Sequence, residues 1–277
     1  RTIMKFLICG DIVGRSGREA IFRYLPILKR NLSIDFIILN VDNATHGFGV
    51  NSEMARQFLE IGADVLTGGN HLFDQKETVG FLEKEKRLLR PANMSNIVPG
   101  NGVLETVLQD GRKIIVVHLI GQINMPIIGE NPFYFMDQLL QKYQIGKNAQ
   151  AIVVDFHAEV TSEKNALGHY LDGRVSAVVG THTHIPTADE RILERGTAFQ
   201  TDVGMCGDYN SVIGMQKTIV EKFVKGYSRQ KLSPASGRAT LCGVLIDTDD
   251  KTGLAASIES IRIDGSLHGS AISINLY

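Results

Sequence analysis

The early part of the chain alternates short apolar runs with amphipathic stretches. A short apolar run bounded by polar residues is typical of a buried strand, whereas apolar residues spaced three or four apart are typical of a helix. The predicted strands are Lys5–Cys9, Phe36–Val41 and Val65–Gly68. Between them we predict one helix over Arg18–Arg30 and another that begins at Asn51 or Ser52 and ends near Ile61. This β-α-β-α-β order indicates a parallel sheet with helices on its faces.

The later part of the chain is richer in antiparallel patterns. Two apolar runs joined by a polar turn predict a hairpin, and two more runs farther on predict another pair of neighbouring strands. The remaining predicted elements are a helix over Gln75–Arg87, the hairpin strands Val103–Leu108 and Lys113–His118, a helix over Asn131–Tyr143, strands Ala151–Phe156 and Ala177–Gly180, a short helix over Gln216–Lys225, and strands Thr240–Ile246 and Ala255–Ile263. A fold of two mixed sheets packed face to face, with helices on their outer faces, accounts for the patterns in both parts of the chain. No segment resembles a linker, so we predict one α/β domain over residues 1–277.

Side chains that can bind a metal follow five of the predicted strands. His182 and His184 end one apolar run, and on a regular strand two such residues point the same way. The other four strand ends carry Asp11, Asp42-Asn43, Asn70-His71 and His157. A turn or cap role explains any one of these residues, and the two histidines alone fit a polar loop equally well. All five strand ends together indicate a metal site, because the carboxyl ends of parallel strands meet at one edge of a sheet.

The candidate ligands are mixed in chemistry and too many for one ion. They comprise carboxylates, amide oxygens and imidazoles, namely Asp11, Asp42, Asn43, Asn70, His157, His182 and His184. A structural zinc takes four ligands, whereas this set suits two adjacent ions such as Fe or Mn that share a carboxylate. Two ions roughly 3.5–4 Å apart polarise a phosphoryl oxygen and lower the pKa of a water between them, as in phosphatases and nucleases.

His71 stands apart from the candidate ligands. It directly follows Asn70, so the two side chains should diverge and His71 should lie beside the metals. A histidine in that place can protonate a leaving alkoxide or bind the phosphoryl oxygen. Asp74 is placed to hydrogen-bond His71, although a helix N-cap ahead of Gln75 explains Asp74 equally well. We therefore take His71 as the candidate catalytic residue.

Composition narrows the classes of function. The formal net charge of −1 over 277 residues argues against capture of nucleic acid or acidic membranes by bulk charge. Three widely spaced cysteines give neither a zinc knuckle nor a disulfide framework, which favours a reducing cytoplasm. No apolar run reaches the roughly 18 residues of a membrane span. We therefore expect a cytoplasmic protein without a membrane partner. RNA is an unsupported partner, because we find no interleaving of basic and aromatic residues.

Taken in chain order, the strand-end motifs resemble those of calcineurin-like metallophosphoesterases. The series is Gly10-Asp11, Gly69-Asn70-His71, His157 and Gly180-Thr181-His182-Thr183-His184. Longer segments resemble the bacterial YmdB-type branch of that superfamily. These segments are Gly10-Asp11-Ile12-Val13-Gly14, Asn40-Val41-Asp42-Asn43-Ala44, Asp155-Phe156-His157-Ala158-Glu159, Thr161-Ser162-Glu163-Lys164 and Thr201-Asp202-Val203-Gly204-Met205. The resemblance extends from about Lys5 to about Ile263.

This resemblance implies a four-layer αββα sandwich that holds two metal ions, usually Fe or Mn. It also implies a phosphodiesterase that uses a hydroxide bridging the ions, with 2′,3′-cyclic nucleotides among its substrates and some phosphatase activity. Carried onto this sequence, it gives the first ion Asp11, Asn43 and His184, and the second ion Asn70, His157 and His182. Asp42 would bridge the two ions, and His71 would be the proton donor.

Two positions depart from the family pattern. Val13 stands where most metallophosphoesterases have the histidine of an Asp-x-His motif, so Asn43 replaces one imidazole at the first ion. Asp42 stands where the YmdB-type branch more often has Glu, and its shorter side chain requires a closer backbone or an asymmetric bridge. The sequence therefore determines the fold more closely than it determines which metal binds and how tightly.

Other residues have local explanations. His118, His169 and His268 match no motif and are predicted to be packing or surface residues, whereas His46 is close enough in sequence to Asp42 to line the pocket. We also consider Arg15 or Arg18 as phosphate contacts, Asp155 and Asp202 as acceptors for ligating imidazoles, and Cys206 as a buried, unreactive thiol.

The leading functional hypothesis is a cytoplasmic dinuclear-metal phosphodiesterase that acts on a small phosphodiester or nucleotide. An amidohydrolase also uses His-x-His, but it presents that pair on its first strand, whereas here several strands precede it. The alternative from another class is a regulatory or RNA-related protein with structural metals and little catalysis. An exposed edge among the later strands would support a homo-oligomer.

Overall fold

Two mixed six-stranded sheets form the centre of the computed structural model, which describes residues 2–269. The strands are β1 (Ile3–Cys9), β2 (Phe36–Asn40), β3 (Val65–Thr67), β4 (Leu88–Leu89), β5 (Val103–Val107), β6 (Lys113–Ile120), β7 (Ala151–His157), β8 (Ala177–Thr181), β9 (Arg191–Ile192), β10 (Ala198–Gln200), β11 (Leu241–Asp249) and β12 (Ala255–Ile263). The first sheet has the order β12-β11-β1-β2-β3-β4, and the second has the order β5-β6-β7-β8-β10-β9. Strands β1 to β4 are parallel, as are β6, β7, β8 and β10, while β11, β12, β5 and β9 pair antiparallel at the edges.

Within residues 2–269, most helices connect parallel strands. The helices are α1 (Gly14–Asn31), α2 (Ser52–Glu60), α3 (Thr78–Leu82), α4 (Pro132–Lys142), α5 (Thr161–Leu171) and α6 (Val220–Lys225), with 3₁₀ turns at Leu72–Asp74 and Lys217–Ile219. Of these, α6 lies between β10 and β11. Asn51 caps α2 by accepting the Met54 N–H at 2.8 Å, and Asn131 caps α4 in the same way. None of the helices within residues 2–269 combines the length and the apolar character needed to cross a bilayer.

Three apolar layers determine how the sheets and helices stack. Alternation along β1 places Phe6 and Ile8 in the layer between the sheets, while Leu7 and Cys9 face the other way and pack with residues of α1 and α2. A third layer joins the outer face of the second sheet to α4 and α5. The layers therefore follow the order helix, sheet, sheet, helix, which confirms the predicted α/β sandwich of two mixed sheets.

The predicted helix over Gln75–Arg87 is wrong. Residues Thr78–Leu82 form the one helical turn there, because the chain soon extends so that β4 can pair with β3. The pattern also missed α5, whose Glu163 and Lys164 are buried and so disguise its apolar face. The predicted domain of 1–277 includes residue 1 and residues 270–277, which lie outside the described residues.

Phe6 tests the layer between the sheets, where its ring packs edge-on against Phe36 with 5.9 Å between centroids. Phe6→Ala removes a fully buried ring, so we expect the free energy of unfolding to fall by about 3–5 kcal/mol in urea denaturation. Ile97→Ala is the matched control, since Ile97 is 91% exposed, and should change that free energy by less than about 0.5 kcal/mol. Equal stability of Phe6→Ala and wild type would contradict this packing.

Candidate metal centre

The candidate ligands converge where β1, β2, β3, β7 and β8 end. These strands are parallel within their sheets, so their carboxyl ends open on a common edge of the sandwich. Two groups of three residues lie there, Asp42–His157–His182 and Asp11–Asp42–His184. In each group every residue places one possible ligand atom within 4.8 Å of those of the other two. Asp42 belongs to both groups, so the two candidate sites are adjacent and have one carboxylate in common.

Asp11 has a buried carboxylate oxygen without a hydrogen-bond donor. Its Oδ2 accepts the backbone N–H of His182 at 3.1 Å, whereas Oδ1 has no hydrogen-bond partner among residues 2–269. Oδ1 lies 3.7 Å from His157 Nδ1 and 3.9 Å from His184 Nε2. Burial raises the pKa of Asp11 to about 6. Because a buried, unsatisfied carboxylate oxygen is costly, the position fits a cation.

Asn43 and His184 face each other with one possible ligand atom each. Asn43 Nδ2 donates to the Gly47 carbonyl at 3.0 Å, which leaves its Oδ1 at 3.1 Å from His184 Nε2. His184 Nδ1 donates to the Ile213 carbonyl at 2.7 Å, which leaves Nε2 as the ring nitrogen available to a metal. An amide oxygen and an imidazole nitrogen are both suitable metal ligands.

His157 is oriented in the same manner through Thr181. Thr181 Oγ1 donates to Asp155 Oδ1 at 2.7 Å and lies 2.8 Å from His157 Nδ1, so Nδ1 donates to the hydroxyl. Nε2, the other ring nitrogen, then faces Asn70 Oδ1 at 2.9 Å and Asp42 Oδ2 at 3.4 Å. The expected direct contact of Asp155 with this imidazole is therefore corrected, because the contact passes through Thr181.

The electrostatics at His157 favour positive charge. Burial alone lowers the pKa of His157, but the carboxylates of Asp42 and Asp11 more than offset that effect and raise it to about 9. A proton and a metal ion thus compete for the same lone pair on Nε2.

His182 is held from outside the cluster. Its Nε2 lies 2.8 Å from Glu159 Oε2, which leaves Nδ1 as the ring nitrogen available to a metal. Burial lowers the pKa of His182 to about 3, so its ring is neutral. His182 and His184 have φ values of 94° and 70°, a region that costs energy for residues with a side chain.

A buried ion pair stabilises this strained turn. Lys164 Nζ donates to the Thr181 carbonyl at 2.8 Å and to Asp202 Oδ2 at 2.9 Å. The same carboxylate oxygen accepts the N–H of Thr183 at 3.1 Å and its hydroxyl at 2.7 Å. Asp202 was expected to accept from a ligating imidazole, but it instead binds the residue between the two histidines.

A second support holds the turn that carries Asn70. Gly69 has a φ of +64°, and a Cβ there would lie 2.1 Å from Asp42 Oδ1, so glycine is required. Buried His118 accepts the Gly69 N–H on Nε2 at 2.9 Å. Burial lowers the pKa of His118 to about 4, which keeps the ring neutral and able to accept. His118 is therefore a packing residue that also positions this turn.

His71 lines a cavity of about 430 Å³ beside the cluster. Its Nδ1 lies 2.7 Å from Asp74 Oδ2, and its ring packs edge-on against Phe48 with 5.2 Å between centroids. Its backbone N–H donates to Asp42 Oδ1 at 2.8 Å. Of the two roles considered for Asp74, the structure has the hydrogen bond to His71, since Asp74 ends a 3₁₀ turn and no helix starts at Gln75.

Three residues considered for the pocket do not line this cavity. His46 is exposed, Arg15 pairs with Glu19, and Arg18 donates to the Ala44 carbonyl at 2.6 Å. The pocket and phosphate roles considered for these residues therefore stay predictions. His169 and His268 are exposed, and Cys206 is buried with the pKa of its thiol raised well above the usual value by burial.

Sequence reasoning missed several residues that support the cluster. Asn40 Nδ2 donates to Asp155 Oδ2 at 3.1 Å and to Thr181 Oγ1 at 3.2 Å, while Asn40 Oδ1 accepts the Asp42 N–H at 3.1 Å. Asn40, Glu159, Lys164 and Thr181 all lie inside the motif segments that carry the family resemblance. Their position within those segments is the feature of the sequence that could have indicated a role near the cluster. Their residue types alone suggest no such role.

Comparison with known proteins identifies the family. A sequence model described as YmdB-like protein matches residues 7–261. The chain belongs to the YmdB-like family. Over 261 residues this YmdB-like chain is 43% identical to the 2′,3′-cyclic-nucleotide 2′-phosphodiesterase of Bacillus subtilis, with 94% of this chain and 97% of the relative covered. The family prediction is confirmed, and the amidohydrolase alternative is wrong.

Two solved structures resemble the YmdB-like chain along nearly its whole length. A hypothetical protein from Thermus thermophilus has a TM-score of 0.87 at 36% identity, with 95% of this chain and 100% of that chain covered. A novel phosphatase from Mycoplasma pneumoniae has a TM-score of 0.87 at 35% identity, with 94% of this chain and 93% of that chain covered.

Thr181→Val tests the support of His157. The substitution removes the hydroxyl between His157 and Asp155 with little change in shape, so we expect Mn²⁺ affinity to fall about 10–100-fold in calorimetric titration. Thr181→Ser is the matched control because it keeps the hydroxyl, and it should bind Mn²⁺ as the wild type does. Wild-type affinity in Thr181→Val would contradict the assigned contact.

Lys164→Met tests the buried ion pair. It leaves Asp202 buried without a cation, so the free energy of unfolding should fall by about 3–5 kcal/mol. The double variant Lys164→Met/Asp202→Asn removes both charges and should recover part of that loss in urea denaturation. A single variant as stable as the wild type would argue against the pair.

Proposed function

We propose that this YmdB-like chain is a metal-dependent phosphodiesterase that hydrolyses 2′,3′-cyclic nucleotides with two ions of Fe or Mn. The observation that carries the proposal is the pair of ligand groups that share Asp42 beside the cavity lined by His71. The B. subtilis relative is named a phosphodiesterase and the M. pneumoniae relative a phosphatase, and both classes hydrolyse phosphoester bonds. We further propose that the chain acts as one domain, in the cytoplasm, where its buried cysteines stay reduced.

The donor atoms of the cluster support a two-ion site. We assign Asp11, Asn43 and His184 to one ion, Asn70, His157 and His182 to the other, and Asp42 to both. The features that fit cations are Asp11 Oδ1, which has no hydrogen-bond partner within residues 2–269, and the ring nitrogens of His157 and His184 that face the cluster. Mixed nitrogen and oxygen donors suit Fe or Mn. When bound, such ions supply Lewis acidity toward a phosphoryl oxygen and lower the pKa of a water.

His71 would supply the proton that the leaving group needs. Hydrolysis of the cyclic diester forms a new P–O bond from water and breaks the P–O2′ bond, so the 2′ oxygen must take up a proton. Asp74 holds Nδ1 of His71 at 2.7 Å, and Nε2 has no hydrogen-bond partner within residues 2–269. Nε2 is therefore the atom that donates, and the Asp74 carboxylate fixes the orientation of the ring through Nδ1. The products are a 2′-hydroxyl and a 3′-phosphate.

The cavity suits a substrate of nucleotide size. Its volume of about 430 Å³ lies within the usual range of small-molecule sites. Polar residues of the candidate centre form one part of its lining, and Phe48, Ile213 and Met215 contribute an apolar part. A phosphate placed at the polar part leaves the base near the apolar part.

His71→Gln tests the role of the proton donor. We expect kcat for 2′,3′-cyclic AMP to fall about 10²–10⁴-fold, with the metal content unchanged, because His71 belongs to neither ligand group. The loss should be smaller with bis-p-nitrophenyl phosphate, since p-nitrophenolate leaves without a proton.

Asp42→Asn is the contrasting variant. It removes the carboxylate that both groups share, so it should lose metal and activity together. Full turnover by His71→Gln, or an equal loss with the two substrates, would contradict the assigned role of His71. Metal content by elemental analysis separates the two variants.

A further inference from the structure

A loop beside the cavity combines exposed aromatic and cationic side chains. The chain leaves the sandwich after Met215 and returns at Pro234, where these two residues form a β-bridge. The base of this excursion is closed by the Gln216 N–H bond to the Ser233 carbonyl at 2.9 Å. We call the excursion the 216–233 loop; it includes α6.

Apolar residues of the 216–233 loop continue the wall of the cavity. Ile219, Phe223 and Leu232 line the cavity together with the candidate ligands. Phe223 is nevertheless 76% exposed, and Tyr227 is 60% exposed. Aromatic rings so placed, at the cavity and on the adjoining surface, can stack on unpaired bases.

The same loop concentrates positive charge. It contains one carboxylate, Glu221, and five exposed cations, namely Lys217, Lys222, Lys225, Arg229 and Lys231. Glu221 pairs with Lys225 at 2.8 Å, and no carboxylate in the described part of the chain forms an ion pair with the other four. The loop therefore carries a net charge of +4 on a chain whose net charge is −1. Such a local excess attracts a polyanion.

We propose that the 216–233 loop binds single-stranded RNA, and that the protein acts on the 2′,3′-cyclic phosphate at an RNA 3′ end. This inference rests on the proposed function, since the terminal phosphate would occupy the metal centre. A 2′,3′-cyclic phosphate requires a ribose, which selects RNA over DNA. The terminal base then reaches Phe223, and upstream phosphates lie along the cations. The bases must be unpaired to stack on Phe223 and Tyr227, which selects a single strand.

The arrangement corrects the view that basic and aromatic residues are not interleaved in this chain. In residues 222–229 they alternate closely, as Lys222, Phe223, Lys225, Tyr227 and Arg229. The near-neutral total charge conceals this because the rest of the chain is acidic on balance.

The experiment compares a 2′,3′-cyclic mononucleotide with a short oligoribonucleotide that ends in the same cyclic nucleotide. The full-length, metal-loaded protein is assayed over a range of salt concentrations. For the wild type we expect kcat/KM to be at least about tenfold higher for the oligonucleotide at low salt, and to fall steeply as salt rises.

A charge variant and a matched control test the loop itself. Lys222→Gln/Arg229→Gln should lower the ratio of kcat/KM for the oligonucleotide to kcat/KM for the mononucleotide about tenfold. When the logarithm of this ratio is plotted against the logarithm of the salt concentration, the slope should be shallower by about 1.4 in this variant. Lys147→Gln/Lys251→Gln removes two exposed lysines from turns at the opposite end of the strands and should leave the ratio at its wild-type value.

Three outcomes would overturn the proposal. The first is that the wild type hydrolyses the oligonucleotide and the mononucleotide with equal kcat/KM. The second is that the loop variant and the control variant change the ratio equally. The third is that the loop variant keeps the preference for RNA but loses binding to phosphatidylglycerol vesicles or self-association. Fluorescence anisotropy with the labelled oligonucleotide separates binding from hydrolysis. If the wild type binds the oligonucleotide through the loop but hydrolyses neither substrate, the RNA surface is supported and the proposed phosphodiesterase activity is overturned.

Discussion

A buried cluster of carboxylates, amide oxygens and imidazoles that all face one another is the constraint on which this structure depends. The carboxylates of Asp11 and Asp42 and the imidazole of His157 lie within a few ångströms of one another, shielded from solvent. Burying such a cluster is costly unless positive charge compensates it. In our proposal metal ions provide that charge. The raised pKa values of Asp11 and His157 are the response of the same atoms when protons alone are available.

The rest of the fold holds these atoms in place. Parallel strands end at one edge and bring five short segments together, while the layers of helix and sheet keep the backbone rigid. The histidine turn after β8 adopts an unfavourable backbone conformation, and the buried pair of Lys164 and Asp202 stabilises it. The Thr181 hydroxyl orients the imidazole of His157. Rigid support of this kind is what a preorganised catalytic site requires.

Several features could be predicted from the sequence because they depend on local patterns. Short apolar runs predicted the central strands, and the rule that parallel strand ends share an edge correctly placed Asp11, Asp42 and His157 together. Which of the converged residues bind a metal is still a prediction. Helix α5 escaped the pattern because Glu163 accepts the Gln122 N–H at 2.8 Å and Lys164 is buried, so polar residues occupy its inner face.

Other features depend on contacts that the sequence does not reveal. Thr181 and His118 support the cluster through contacts with other residues, and nothing in either residue type points to such a role in the sequence. The bond from the Arg18 guanidinium to the Ala44 carbonyl is likewise a contact that the sequence does not show. The charge of the 216–233 loop was hidden in the total, since the effect of charge on a partner depends on where the charges lie.

Anomalous diffraction from crystals grown in Mn²⁺ tests the central claim most directly. Our account predicts two anomalous peaks roughly 3.5–4 Å apart, both in contact with the Asp42 carboxylate, with Asp11 beside one and His157 beside the other. A single peak, or two peaks that do not share Asp42, would contradict it.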